Sequence, residues 1–138
     1  MAVAKKKSNE PGKIYVVLSD GECQEGSTLE AMNFIGRMKL NNLIAIVDNN
    51  KWQAYDRLLL SADQIKAEFK TAGWNVKEIN GHDYKELETV FSSSSDSPIL
   101  IMANTVLGKG IREMEDKLEW HYLSPTAEQA DAFVLGIK

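Results

Sequence analysis

Two short polar clusters carry the residue types that could do chemistry: Ser19-Asp20-Gly21-Glu22 and Asp48-Asn49-Asn50. Asp20 and Asn50 stand 30 positions apart, and each cluster follows directly on an apolar run. A carboxylate and an amide oxygen are hard ligands of the kind magnesium accepts, with phosphate oxygens and water completing its six-coordinate shell. Gly21 has no side chain, so backbone N–H groups there can approach a phosphate closely. The chemistry would be that of holding a phosphorylated ligand through a divalent cation, provided that the two segments lie side by side. The same residue types also serve in ordinary turns, and spacing alone leaves both readings open.

The elements that must position these clusters are legible in the pattern. Ile14-Tyr15-Val16-Val17-Leu18, between Gly12 and Asp20-Gly21, reads as a strand buried on both faces. Ser27 with Glu30 has the capping-box pattern, and Ala31, Phe34, Ile35 and Met38 follow at helical spacing, which predicts an amphipathic helix of about three turns. After Asn41-Asn42, Leu43 to Val47 repeats the buried-strand pattern. Ser61 and Gln64 open a helix carrying Ile65 and Phe69, Gly73 ends it, and Trp74 to Ile79 reads as a strand. Asp83 with Glu86 caps a helix bearing Leu87, Val90 and Phe91, the Ser92 to Ser95 run is a surface loop, and Pro98 to Asn104 contains a further strand. Ser124 before Pro125 starts a C-terminal helix with Ala130, Phe133 and Val134. Strands alternating with helices predict an α/β fold, a three-layer open parallel sheet with helices on both faces. Ligands of such sheets collect beyond the carboxyl ends of the strands, where both polar clusters fall.

Composition narrows the function classes. The 138 residues, 43% of them hydrophobic, suit a single domain with one buried core. A net charge of −4 argues against nucleic acid as a partner. The only basic cluster, Lys5, Lys6, Lys7 and Lys13, reads as part of a solvated arm over residues 1–12. One cysteine, Cys23, excludes an internal disulfide and fits a cytoplasmic setting, where it reads as structural because no base is paired with it. No apolar run approaches the ~20 residues needed to span a bilayer, and no signal-peptide pattern opens the chain.

Asp20-Gly21 followed by Asn50 resembles the thiamine-diphosphate motif. Leu18 to Ser27, Ile46 to Lys51, Gly81-His82-Asp83, Gly108-Lys109-Gly110 and Trp120-His121 each resemble transketolase segments, in order and at family spacing. Ser19 departs from the glycine common there but keeps its small size. The resemblance implies a thiamine-diphosphate-binding-domain fold, with Asp20, the side-chain oxygen of Asn50 and the backbone carbonyl of Trp52 as magnesium ligands. It counts Gly21, through its amide, Glu22 and His82 with the cofactor-binding residues. It gives His82 a catalytic part against the phosphates and substrate, and places Glu25 and Glu30 among glutamates that line a dimer interface and connect two active sites. Glu30 equally suits the capping box, and His121 is a weaker candidate that equally suits simple packing beside Trp120.

The family transfers a two-carbon ketol unit between sugar phosphates, with thiamine diphosphate and magnesium. The resemblance therefore implies sugar-phosphate substrates and, as partner, a pyrimidine-binding domain or subunit, since the glutamate that contacts the aminopyrimidine ring has no counterpart here. Met1 to Ala4 resembles the middle of a family helix that follows a glycine-rich diphosphate loop, so the chain reads as cut short at its N-terminus and inactive by itself. Exposed sheet edge then predicts self-association or a hetero-oligomer. Two other readings stand beside this one. The first is a non-catalytic cofactor-binding or interaction module; the second is a different thiamine-diphosphate enzyme, such as deoxyxylulose-phosphate synthase or the decarboxylating subunit of 2-oxoacid dehydrogenases.

Overall fold

Continuous aliphatic runs make strands only where both faces are covered, so the arrangement of helices decides which runs are core. A computed structural model describes residues 1–53 and 56–136. Helix α1 (Ala2–Lys7) leads to strand β1 (Ile14–Ser19), helix α2 (Gly26–Arg37) and strand β2 (Leu43–Asn49). A two-residue hairpin pair, β3 (Trp52–Gln53) and β4 (Asp56–Arg57), precedes α3 (Ala62–Thr71), β5 (Asn75–Asn80), α4 (Tyr84–Phe91), β6 (Ile99–Asn104) and α5 (Ala127–Gly136).

The main sheet has the order β1-β2-β6-β5, and all its neighbours are parallel. Alternation along β2 and β6 sends side chains to two cores. Ala45, Val47, Leu100 and Met102 pack with Met32 of α2 and with Ile65 and Phe69 of α3. On the opposite face Ile44, Ile99 and Ile101 pack with Val90 of α4. The expected three-layer α/β architecture is what forms.

Local signals explain the element boundaries well at α3 and α4. Ser61 and Gln64 make the reciprocal capping box, and Asp83 accepts from the amides of Lys85 and Glu86. Gly73 follows α3 at φ 93°, a conformation that suits glycine. Gly36 is needed for another reason: a Cβ there would sit 1.8 Å from the carbonyl oxygen of Ala72, so α2 can pass the end of α3 only with no side chain at that point.

Several expectations need correction. β1 is an edge strand rather than a buried one, with Tyr15 49% and Val17 70% exposed, because among the described residues β2 alone pairs with it. α2 begins at Gly26, one residue before Ser27, since a 3₁₀ turn over Gly21–Gln24 leaves Glu25 extended as its N-cap, and Ser27 and Glu30 form no capping box. The buried positions of α2 are Met32 and Gly36, and Phe34 and Met38 face outward. α5 is opened by Thr126, whose hydroxyl accepts from the Gln129 amide while the Gln129 side chain accepts from Thr126 N, rather than by Ser124. Finally, residues 2–7, expected within a solvated arm, are helical. Ala2 is buried, Asn42 donates to its carbonyl, and the Lys6 ammonium meets the carbonyls of Met38 and Lys39 just past the end of α2. Among the described residues no helix is long and apolar enough to cross a membrane.

Candidate functional site

Because β1 and β2 are parallel neighbours that pair Ser19 with Asp48, Asp20 and Asn50 leave the sheet side by side at its carboxyl edge. Asn104 and Thr105 follow on β6, next in order, and Asn80, Gly81 and His82 on the outermost strand, β5.

Asp20 is wholly buried. One carboxylate oxygen accepts from the amide of Gly21 at 2.8 Å and the other from the amide of Lys51 at 2.7 Å. Lys51 reaches this position with φ 71°, in the left-handed region. Among the described residues no ion pair involves Asp20. Burial pushes its carboxyl above the usual range, the two backbone N–H groups oppose that, and the nearby Asp48 charge adds to it. This is a carboxylate whose charge lacks a cation.

Asn50 is fixed at both ends of its amide. Its Oδ1 accepts from Trp52 N at 2.9 Å, and its Nδ2 donates to Asp48 Oδ2 at 3.5 Å. The other oxygen of Asp48 accepts from the Thr105 hydroxyl. Asn49 points the other way and donates to Asn104, which donates in turn to Glu78, itself paired with Lys66.

Two clefts meet at Asn50. The first, about 540 Å³, is lined by Ser19, Gly21, Glu22, Glu25, Trp52 and His121 among others. The second, about 620 Å³, lies beyond Lys51 and is walled by Leu58, Leu60, Thr105 and Val106. The hairpin between them is pinned by Arg57, whose guanidinium lies 3.7 Å from the Trp52 ring centroid and forms a bidentate pair with Asp116. Trp52 Nε1 donates to the same carboxylate at 2.9 Å. Arg57 holds the Asp116 carboxyl below its usual range.

Of the expected site residues, Asp20, Gly21, Glu22, Glu25, Asn50 and Trp52 come together, and two others do not. His82 stands at the end of the fourth strand, roughly 14 Å across the sheet from β1 at the usual strand spacing. Its Nε2 accepts from Val106 N at 2.9 Å, which ties it to the loop after β6. His121 lies in the first cleft instead. Glu30 is exposed one turn along α2, away from both clefts. Two of these residues are engaged locally. The Gly21 amide donates to Asp20 at 2.8 Å. Glu22 folds back, with its carboxylate accepting from Ser19 N at 2.7 Å and its amide donating to the Ser19 hydroxyl. The roles of Asp48, Thr105, Arg57 and Asp116 were not evident in the sequence; only the place of Asp48 and Thr105 directly at strand ends hinted at theirs.

The donor set fits magnesium. Asp20 and Asn50 offer only oxygen, and the buried Asp20 charge is uncompensated. Among the described residues no three His, Cys, Asp or Glu side chains cluster as a metal cage. A cation held by so few protein oxygens would take the rest of its shell from ligand phosphates and water.

A parallel α/β sheet with a buried aspartate and a fixed asparagine on adjacent strand ends defines a domain of the kind that presents its ligand edge beyond the strands. The chain belongs to the transketolase family: the family described as "Transketolase, thiamine diphosphate binding domain" matches residues 4–132. It is 35% identical over 139 residues to an apulose-4-phosphate transketolase subunit of Phocaeicola vulgatus, covering 97% of this chain and 50% of that relative. It is 39% identical over 111 residues to the transketolase of Rattus norvegicus, covering 79% of this chain and 18% of that one. The crystal structure of transketolase from Campylobacter jejuni superposes with a TM-score of 0.79 at 35% identity, covering 84% of this chain and 20% of that one. The chain thus spans about half the length of the Phocaeicola relative and less than a fifth of the rat enzyme.

Proposed function

We propose that this chain binds the diphosphate of thiamine diphosphate through a magnesium ion held by Asp20, Asn50 Oδ1 and the backbone carbonyl of Trp52. It acts as one component of a transketolase that moves a two-carbon ketol unit between sugar phosphates. The observation that carries this reading is the uncompensated Asp20 carboxylate, buried and fixed by two backbone N–H groups beside Asn50. A cation at that point removes the cost of burying the charge.

When bound, the cofactor supplies the electron sink for carbon–carbon cleavage and formation. The chain's own residues bind and orient. Asp20 and Asn50 hold the metal, and the Trp52–Arg57–Asp116 pin keeps the Trp52 backbone in place. His121, rather than His82, is the imidazole in the cleft with Gly21 and Asn50, where it can donate a hydrogen bond to a phosphate or move a proton. Glu25 lines the same cleft and, on this reading, faces the interface with a second chain.

The partner supplies the pyrimidine-binding half. Relatives of which this chain covers about half are named as transketolase subunits, which supports an enzyme built from more than one chain. The expected outcome is that the chain alone binds cofactor without turnover, and that ketol transfer from a sugar phosphate appears when a pyrimidine-binding partner is added. Turnover by the purified chain alone would refute the division of labour.

A further inference from the structure

We propose that Asp48 and Thr105 form a bracket that presents the Asn50 amide oxygen to the cation, and that they are positioning residues for metal binding. This rests on the metal reading above. A primary amide has two ends of similar shape, and its orientation follows from its hydrogen-bond partners. Here both partners permit one orientation only. Asp48 as a carboxylate can only accept, so it takes the Nδ2 end, and the Trp52 backbone N–H can only donate, so it takes Oδ1. Oδ1 keeps a second lone pair for a metal.

Asp48 is held in turn. The Thr105 hydroxyl donates to its other oxygen, and Thr105 N donates to the Asn49 carbonyl, so the end of β6 is tied to the end of β2 at this point. Gly81 contributes indirectly: a Cβ there would meet Thr105 Cγ2 at 2.5 Å, so the absence of a side chain lets the Thr105 methyl lie where it does. Outer-shell partners of this kind orient metal ligands, and losing them typically weakens binding by about 10–100-fold. Neither Asp48 nor Thr105 needs to touch the ion.

Titration of Mn²⁺ into the 138-residue chain with saturating thiamine diphosphate, followed by electron paramagnetic resonance, reads metal affinity without turnover. Thr105→Val keeps the Asp48 charge and removes the bracing hydroxyl, so it should weaken Mn²⁺ by about 10-fold, while Thr105→Ser restores it. Asp48→Asn can turn either end to Asn50, and should weaken binding at least as much. In ¹⁵N-labelled, metal-free chain, the Asn50 side-chain amide protons should lose their protection in Thr105→Val and keep it in Thr105→Ser. Equal Mn²⁺ affinity for wild type and Thr105→Val, both folded, overturns the bracket and leaves the metal reading intact. Absence of Mn²⁺ binding by folded wild type overturns both.

Discussion

At the scale of single residues, the site is made by burying groups that water would otherwise satisfy. Asp20 is the sharpest case, because its carboxylate is enclosed and, among the described residues, is met by backbone N–H groups and by no cation. Cys23, one short turn away, shows the same enclosure acting on a neutral group. Burial, with the Asp20 and Glu22 charges adding to it, pushes its thiol up to about 12, and its Sγ donates weakly to the Ser19 carbonyl. A thiol so raised is protonated and inert in the folded chain. Cys23 should therefore fail to react with a disulfide reagent at pH 8 until denaturant is added, and rapid labelling of the native chain would contradict this. The sign of its effect on stability also follows. Between the ordinary value of 9.0 and about 12 the folded state keeps a proton that the unfolded state has lost. Stability is therefore whole below pH 9 and declines as pH rises through that window, and urea melts from pH 8 to 10.5 should show the fall. In Cys23→Ala the part of the fall that begins near pH 9 should be smaller.

At the scale of elements, the helices and strands divide into those that local sequence decides and those that their neighbours decide. The four main-sheet strands, α3 and α4 were legible, since apolar runs bounded by Gly, Asn and Asp, and caps such as Ser61 with Gln64, are local signals. The adjacency of Asp20 and Asn50 was legible only as a condition, and the pairing of β1 with β2 meets it. What could not be read depends on non-local packing. Tyr15 and Val17 have the composition of a buried strand, yet their exposure is set by what lies beside β1. The motifs favour His82 over His121, and only the folded arrangement sets His82 beside the loop after β6 and His121 in the first cleft. Ser27 misled because the 3₁₀ turn before it moved the start of α2. Gly36 gives a test at this scale. Its contact with the Ala72 carbonyl leaves no room for a methyl, so Gly36→Ala must push α2 off α3. The expected cost is about 3 kcal/mol, at the upper end for overpacking a core, read as a shift in the urea midpoint. An unchanged midpoint would show that the helices separate freely.

At the scale of the whole molecule, one side is finished and the other is open. β5 carries polar residues and a Lys66–Glu78 pair, whereas β1 presents Tyr15, Val16 and Val17 along an edge without a charge, proline or bulge. Phe34 and Met38 of α2 add to the apolar surface. Such an edge should draw chains together, so light scattering should show mass rising with concentration, and Val17→Lys should shift the chain toward monomer. A wild-type chain that stays monomeric up to ~100 μM, within the μM–mM range in which exposed strand edges associate, would count against an adhesive edge. The chain spans half of the Phocaeicola relative, and the residues of the proposed binding edge follow the carboxyl ends of β1 and β2. The central claim is that this binding edge works through Asp20 and a divalent cation. Calorimetric titration of thiamine diphosphate into the chain, with and without magnesium and beside an Asp20→Ala variant shown to be folded, tests it most directly. The account predicts heat of binding that requires magnesium and vanishes in Asp20→Ala; binding of equal strength without magnesium, or retained in the variant, would contradict it.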